Sequence, residues 1–147
     1  MLSLNTNIYA SESMDSNEYS IIETFSDGSY IKSVLLDDST DCSSLARKTS
    51  TKTGRRVYSY ESSSGKLLWT ITITGTFSYT GSSSKCTKSE ISTTCPASNW
   101  KLSKKKAYTS GSSAKATASF KQYKKDVYLQ TITRTVTLSC NKSGKLY

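Results

Sequence analysis

The side chains best suited to chemistry in this sequence are lysines that occur in clusters with tyrosines between them. One cluster lies at residues 101–106 and another at residues 121–125. Lysine ammonium groups attract anions, and tyrosine rings offer flat surfaces against which a ligand can pack. We therefore predict a polyanion-binding surface formed by Lys104, Lys105, Lys106, Lys121, Lys124 and Lys125. The alternative is a cationic surface that keeps the protein soluble and has no specific ligand.

A further basic cluster and several aromatic side chains extend this pattern. The earlier basic cluster consists of Arg47, Lys48, Lys52, Arg55 and Arg56. The tyrosines interleaved with the three clusters are Tyr58, Tyr108, Tyr123 and Tyr128. Trp69 and Trp100 are candidate platforms for sugar rings, but a core position is favoured for both.

The residues needed for catalysis are absent or scattered. The chain has no histidine, which excludes a Ser-His-Asp triad and the common zinc sites. After residue 41 the only acids are Glu61, Glu90 and Asp126, and they are too far apart in sequence to suggest a catalytic pair. Ser-x-x-Lys spacings recur, as chance predicts in a chain with 30 serines. We predict no enzymatic activity and no cofactor.

Acidic residues next to a cysteine raise the question of a calcium site. Asp37, Asp38 and Asp41 precede Cys42 and carry oxygen ligands of the kind that Ca²⁺ prefers. The segment lacks the glycine and the terminal glutamate of an EF-hand loop. A solvated acidic loop is therefore favoured, and no metal site is predicted.

The four cysteines predict two disulfides and an oxidising compartment. Cys42, Cys86, Cys95 and Cys140 include no C-x-x-C pair of the kind found in zinc or redox motifs. The alternative is four buried free thiols. Two connectivities are open. Cys86–Cys140 with Cys42–Cys95 ties strand exits together, whereas Cys86–Cys95 with Cys42–Cys140 closes the shorter loop.

The first residues predict export. Residues 1–10, followed by Ser11-Glu12-Ser13, resemble the end of a signal peptide, with Ala10 at the small-residue position before a cleavage site. We assign residues 1–15 to a signal-peptide remnant or disordered N-terminus and residues 16–147 to a single domain. No apolar run reaches the length of a membrane span, so we predict no transmembrane segment. The signal-peptide-like start and the cysteines predict a secreted, extracellular protein.

Charge is divided unevenly along the chain. Residues 1–41 contain eight acids and one base, whereas residues 42–147 contain three acids and 19 bases. Opposite charges attract, so the acidic part is expected to dock on the basic part if it forms a strand or an arm.

Hydroxyl-rich alternating segments must position these side chains. The chain contains 30 serines, 20 threonines and ten tyrosines, a composition that favours β-structure. The predicted strands are Tyr19–Phe25, Tyr30–Leu36, Arg55–Glu61, Lys66–Thr80, Trp100–Thr109, Ser112–Tyr123 and Asp126–Cys140, with Lys85–Ile91 as an eighth candidate. The period of two predicts one core containing Leu67, Trp69, Ile71, Ile73, Phe77, Phe120, Ile132, Val136 and Leu138.

Two residues interrupt the alternation. Gly75 in mid-strand predicts a bulge or a close approach by another backbone. Arg134 falls on the apolar face of its strand, which indicates a sheet-edge position or a wrong register. Seven or eight short strands without a convincing amphipathic helix predict an all-β fold, an antiparallel β-sandwich of immunoglobulin-like type stapled by disulfides.

Parts of the sequence resemble a family of small secreted β-sandwich proteins from Gram-positive bacteria (Firmicutes). The likeness covers about residues 55–145 and is strongest in the run from Ser64 to Gly81 that precedes Cys86. Trp100, the turn at residues 110–114 and the ending at residues 137–144 belong to it as well. That family has no function that can be transferred, so the resemblance implies only a fold and a secreted location.

Together these features predict a secreted, non-catalytic β-sandwich module. Its basic face is expected to bind an envelope or extracellular anionic partner, such as an anionic cell-wall polymer or a glycan. Nucleic acid is not expected as a partner because of the extracellular location. The alternative is a secreted, cationic, bacteriocin-like effector that acts on rival cells.

Overall fold

A computed structural model describes residues 18–38 and 49–147, and all of the regular structure in these ranges is β-strand. Eight strands are present in them. Their bounds are β1 (Tyr19–Thr24), β2 (Tyr30–Asp37), β3 (Ser50–Glu61), β4 (Leu67–Tyr79), β5 (Ser84–Thr94), β6 (Trp100–Ser110), β7 (Ser113–Lys124) and β8 (Val127–Ser139). The predicted all-β class is confirmed, and the eighth candidate strand is present as β5.

The strands form two antiparallel sheets that pack against each other like a β-sandwich. Strands β1 to β5 make a five-stranded sheet in chain order, and β6 to β8 make a three-stranded sheet in chain order. Strand β4 of the first sheet and the middle strand β7 of the second meet at Trp69 and Phe120, whose rings stack. The segment between β5 and β6 carries the chain from one sheet to the other.

The immunoglobulin-like arrangement is not confirmed. In the described residues every hydrogen-bonded pair of strands is consecutive in sequence. An immunoglobulin sandwich instead pairs strands through Greek-key connections. The sheets here are simple meanders, which the short Ser/Gly turns permit.

Turn chemistry explains why the chain folds back where it does. Between β1 and β2, Gly28 has φ 87° and its amide donates to the Phe25 carbonyl oxygen at 2.9 Å. Between β6 and β7, Gly111 has φ 60° in a two-residue connection between the paired Ser110 and Ser113. A positive φ is open to glycine without steric cost, so both hairpins follow from the sequence.

Eight of the nine predicted core residues are buried, and Leu67 is the exception at 38% exposed. The reason is an irregularity in the pairing of β3 with β4: Tyr60 lies opposite Trp69, but Glu61 lies opposite Leu67. Leu68 is the extra residue of this bulge. Since successive side chains point to opposite faces, the bulge turns Leu67 outward beside Glu61.

Aromatic rings and alanines fill the space between the sheets. The Trp69 and Phe120 ring centroids are 4.3 Å apart with an interplanar angle of 7°. Trp100 is buried and meets Trp69 edge-on, so both tryptophans belong to the core. The inward residues of β7 before Phe120 are small, as expected where bulky rings pack opposite; they are Ala114, Ala116 and Ala118.

Gly75 marks a close approach between the sheets. A Cβ atom at this position would lie 2.7 Å from the Phe77 ring and 2.8 Å from the Ala114 Cβ. The neighbouring atoms are side chains rather than another backbone. The pairing irregularity between β4 and β5 falls later, between Thr76 and Phe77.

The acidic first part of the described chain docks on the basic remainder, as the charge distribution predicts. Asp37 of β2 pairs with Lys52 of β3 at 2.8 Å. Glu23 of β1 forms a bidentate pair with Arg134 of β8, with nitrogen–oxygen distances of 2.5 and 2.8 Å. The Glu23–Arg134 pair joins the edge of one sheet to the edge of the other. The sheet-edge interpretation of Arg134 is therefore correct.

The Glu23–Arg134 pair predicts a stability that depends on pH. Hydrogen bonds from Arg134 hold the pKa of Glu23 below its ordinary value of 4.5. Since this pKa is lower in the folded chain than in the unfolded chain, the stabilisation is present above about pH 4.5 and is lost as pH falls through the folded-state pKa. Glu23→Gln is expected to lower the free energy of unfolding at neutral pH by ~0.5–1 kcal/mol, a small effect because both side chains are partly exposed.

Urea unfolding at neutral and acidic pH measures this effect. The deficit of Glu23→Gln relative to wild type should shrink as pH falls through the folded-state pKa of Glu23 and vanish once the carboxyl is protonated in both states. Glu18→Gln is a matched control, since no ion pair of Glu18 is found within the described ranges. An equal deficit for Glu23→Gln at both pH values would contradict the assignment.

Candidate functional site

The outward side of the three-stranded sheet carries a row of lysines that we call the basic face. Alternation along β7 points the alanines and Phe120 inward, so the residues between them point outward. Pairing places Lys101 opposite Lys121 and Tyr108 opposite Lys115. The lysines of the basic face are Lys101, Lys104, Lys106, Lys115 and Lys121.

The six predicted lysines all lie in or beside the three-stranded sheet. Lys104 and Lys106 of β6 and Lys121 of β7 belong to the basic face. Lys105 points to the other side of the edge strand β6, but it is exposed. Lys104, Lys105 and Lys106 line a shallow groove of about 680 Å³. Lys124 ends β7 and Lys125 follows it in the turn to β8.

No lysine of the basic face forms an ion pair with an acid of the described residues, and Lys101 lies directly opposite Lys121. In all five ion pairs found in the described residues the acid lies in the five-stranded sheet or directly after its strand β2, and four of the bases belong to that sheet. Like charges directly opposite each other across a strand pair destabilise a sheet, as at Lys101 and Lys121. A bound anion would relieve that repulsion.

The charge of the two sheets differs sharply. Residues 18–38 and 49–95, which contain the five-stranded sheet, carry seven acids and seven bases. Residues 96–147, which contain the three-stranded sheet, carry eleven bases and one acid. Asp37 and Asp38 pair with bases of the five-stranded sheet and Glu23 pairs with Arg134 of β8, so these acids leave the lysines of the basic face uncompensated.

The described members of the earlier basic cluster, Lys52, Arg55 and Arg56, lie in β3 of the five-stranded sheet. Lys52 is paired with Asp37, and Arg55 donates two hydrogen bonds to Asp38 at 2.6 and 2.9 Å. Arg56 donates to the Ser33 hydroxyl at 3.1 Å. Arg47, Lys48 and Asp41 lie outside the described residues. Asp37 and Asp38 therefore serve as ion-pair partners within the five-stranded sheet.

Three of the four interleaved tyrosines accompany lysines of the basic face. The ammonium nitrogens of Lys101, Lys106 and Lys121 lie 5.5, 5.8 and 6.0 Å from the ring centroids of their tyrosine partners. Those partners, in the same order, are Tyr123, Tyr108 and Tyr128. Tyr58 belongs to β3 in the other sheet.

Sequence reasoning left Lys101 and Lys115 out of the predicted surface. Lys115 stands apart from the clusters in sequence and joins the basic face only through strand pairing with Tyr108. The period of two places Lys115 and Lys121 on one side of β7, and this signal could have found Lys115.

A second depression, the end groove, lies where the β5–β6 connection meets the β7–β8 turn. It has a volume of about 540 Å³ and is lined by Ser98, Asn99, Lys101, Tyr123, Lys125 and Asp126. The Tyr123 amide donates to the Asn99 carbonyl oxygen at 2.8 Å and fixes the two segments to each other. The groove combines an aromatic ring, two ammonium groups and one carboxylate.

The turn beside the end groove has an unusual backbone. Lys125 and Asp126 have φ 50° and 66°, both in the left-handed region. A two-residue hairpin turn of this type normally contains Asn-Gly or Asp-Gly. A lysine in this conformation is strained, and such strain concentrates at functional sites.

The three described cysteines are free thiols in this structure, and Cys42 lies outside the described residues. Cys86 lies near the start of β5 and Cys95 follows its end, so the strand separates them by about 30 Å. A disulfide spans only about 4.4–6.8 Å between Cα atoms, so Cys86–Cys95 is incompatible with an intact β5. Burial raises the pKa of the Cys95 and Cys140 thiols.

Within residues 18–38 and 49–147, no group of three or more His, Cys, Asp or Glu side chains is placed to hold a metal ion. The same ranges contain no helix that is long and apolar enough to cross a membrane. Comparisons with protein families, curated proteins and solved structures found no match to this chain.

Proposed function

We propose that this protein is a secreted, non-catalytic β-sandwich module that binds an anionic polymer of the cell envelope or extracellular space through its basic face. The observation that carries the proposal is the segregation of charge between the two sheets. Residues 96–147 carry eleven bases and one acid, and five of these bases, the lysines of the basic face, lie on the outward side of the three-stranded sheet, where their charge attracts anions.

The geometry of the basic face suits an extended ligand. Strands β6 and β7 hold 11 and 12 residues, which gives the face a length of about 35 Å. The side of the face next to β8 presents uncharged hydroxyl groups. Thr133 is hydrogen-bonded to Ser119 and Thr135 to Thr117, both at 2.7 Å. A linear polyanion lying along β6 and β7 would contact several lysines at once while its uncharged groups pass over these hydroxyls.

Export and disulfide formation are part of the same proposal. A cationic module that binds envelope polymers must reach the extracellular side, where cysteines become oxidised. Cys86 and Cys140 are both buried in the core at the end of the sandwich that holds the β6–β7 turn. Their position supports one long-range disulfide between the two sheets.

Binding to purified wall teichoic acid tests the proposal. Substituting serine for all six lysines of the predicted surface is expected to weaken binding at least tenfold, or ~1.4 kcal/mol. Wild-type binding should also fall steeply between about 0.01 and 1 M ionic strength, since the Debye length shrinks from about 30 to 3 Å.

Two variants that each replace four lysines distinguish binding by the basic face from binding driven by net charge alone. One carries serine at Lys104, Lys106, Lys115 and Lys121 of the basic face, and the other at the exposed Lys66, Lys85, Lys142 and Lys145. The first should lose most of the affinity and the second little of it. Equal losses would show that net charge alone drives binding and would remove the proposed site.

A further inference from the structure

The end groove combines chemistry that a simple polyanion does not need. Lys101 and Lys125 attract an anion, but Asp126 would repel one at the same place. No ion pair of Asp126 is found in the described part of the chain. A ligand that binds favourably beside this carboxylate must therefore carry hydrogen-bond donors as well as negative charge.

Tyr123 gives the groove a partly apolar wall. Its ring is half-buried, lies 5.5 Å from the Lys101 ammonium and meets the Tyr128 ring edge-on at 6.1 Å. These contacts hold the ring in one orientation before a ligand arrives, which reduces the entropy lost on binding. A flat ring with C–H groups on its face packs well against such a wall.

Polar groups complete the groove. Asn99 and Ser98 offer an amide and a hydroxyl, and Asp126 accepts hydrogen bonds. The hydrogen bond from the Tyr123 amide to Asn99 keeps these groups next to the ring. The strained turn contributes the consecutive residues Lys125 and Asp126 to the lining of the groove.

We propose that the end groove binds a sugar ring that carries an anionic group, so that the polymer bound by this protein is an acidic polysaccharide. This inference rests on the proposed polyanion-binding function and names its ligand class. Tyr123 packs on the ring, Lys101 and Lys125 bind its carboxylate, and Asp126 accepts its hydroxyl groups. The basic face then binds the anionic groups of the following units.

Two probes of matched charge test the ring: an oligogalacturonate and a linear polyphosphate, each titrated with the full chain. Tyr123→Ala is expected to weaken oligogalacturonate binding about tenfold and polyphosphate binding less than about twofold. Tyr123→Phe should retain both affinities. Tyr108→Ala is the matched control, because Tyr108 has the same kind of lysine contact outside the end groove.

Asp126→Asn is expected to change the affinities for the two probes in opposite directions. Asparagine tolerates the left-handed conformation, so the turn should be kept. Loss of the negative charge is expected to strengthen polyphosphate binding, whereas loss of the strong acceptor should weaken oligogalacturonate binding. A merely structural effect would move both affinities in the same direction and would overturn the inference.

The outcomes also separate this inference from the proposed function. Polyphosphate binding without oligogalacturonate binding, or equal losses of both on Tyr123→Ala, would overturn the sugar site and leave the polyanion-binding face standing. Undiminished binding of both probes after serine substitution of the six lysines would overturn the proposed function itself.

Discussion

Replacing Trp69 by alanine is expected to lower the free energy of unfolding by about 3–5 kcal/mol. Trp69 lies near the start of β4, is fully buried and is in ring contact with Phe120, Tyr60 and Trp100. Removing the ring would leave a large cavity between the two sheets, and neighbouring strands cannot close it because their own rings pack against it. The urea midpoint should fall with little change in the slope of the transition.

Two further variants show whether packing causes this loss. Leu67→Ala lies two residues away on the same strand, but it is exposed and should cost less than about 1 kcal/mol. Trp69→Phe should cost clearly less than Trp69→Ala, since phenylalanine keeps a ring against Phe120. The indole nitrogen is buried without a hydrogen-bond partner in the described structure, so its loss removes no such bond.

Equal losses in the free energy of unfolding for Leu67→Ala and Trp69→Ala would contradict the bulge between these two residues. The alternation of β4 would then continue through Leu68, and Leu67 would lie in the core.

The fold was largely predictable because the alternation of apolar and polar residues along a strand indicates which of its faces is buried. Ile71, Ile73 and Phe77 are inward as predicted, with Thr70, Thr72 and Thr74 on the other face. The prediction that Leu67 lies in the core is wrong because a bulge shifts the alternation by one residue, and a bulge depends on the partner strand rather than on local sequence. The immunoglobulin-like topology was a choice among β-sandwiches that strand patterns alone do not distinguish.

The candidate site was only partly predictable. Clusters of lysines are visible in the sequence, so Lys104, Lys106 and Lys121 were found. Whether a charge is compensated depends on pairs that are distant in sequence, such as Arg134 with Glu23 and Lys52 with Asp37. The end groove depends on the β5–β6 connection meeting the β7–β8 turn, which no local pattern encodes.

A disulfide between Cys86 and Cys140 is the second large effect that we expect. The Cys86 amide donates to the Gly111 carbonyl oxygen at 2.8 Å and the Cys140 amide to the Ser112 carbonyl oxygen at 3.1 Å. The Ser84 hydroxyl also donates to the Cys140 carbonyl oxygen at 2.6 Å. Consecutive residues of one turn therefore hold both cysteines at the same end of the sandwich.

Refolding in the presence of glutathione disulfide is the condition under which this bond should form. The two thiols lose two electrons and two protons, and one glutathione disulfide is reduced to two glutathione molecules. Burial raises the pKa of the Cys140 thiol, which lowers the reactive thiolate fraction at neutral pH. Oxidation of the already folded, reduced protein should therefore be slow, and oxidation during folding should be faster.

The oxidised protein is expected to be about 4 kcal/mol more stable than the reduced protein, since the bond closes a loop of more than 50 residues. Urea unfolding with and without reductant measures the difference. Cys86→Ala and Cys140→Ala should each abolish the loss of stability that reductant causes by breaking this bond. The Cys95→Ala variant should still show that loss. Peptide mapping without reduction should yield a linked peptide containing Cys86 and Cys140. A peptide linking Cys86 to Cys95 would show that β5 is not an intact strand and would contradict both the pairing and the fold around it.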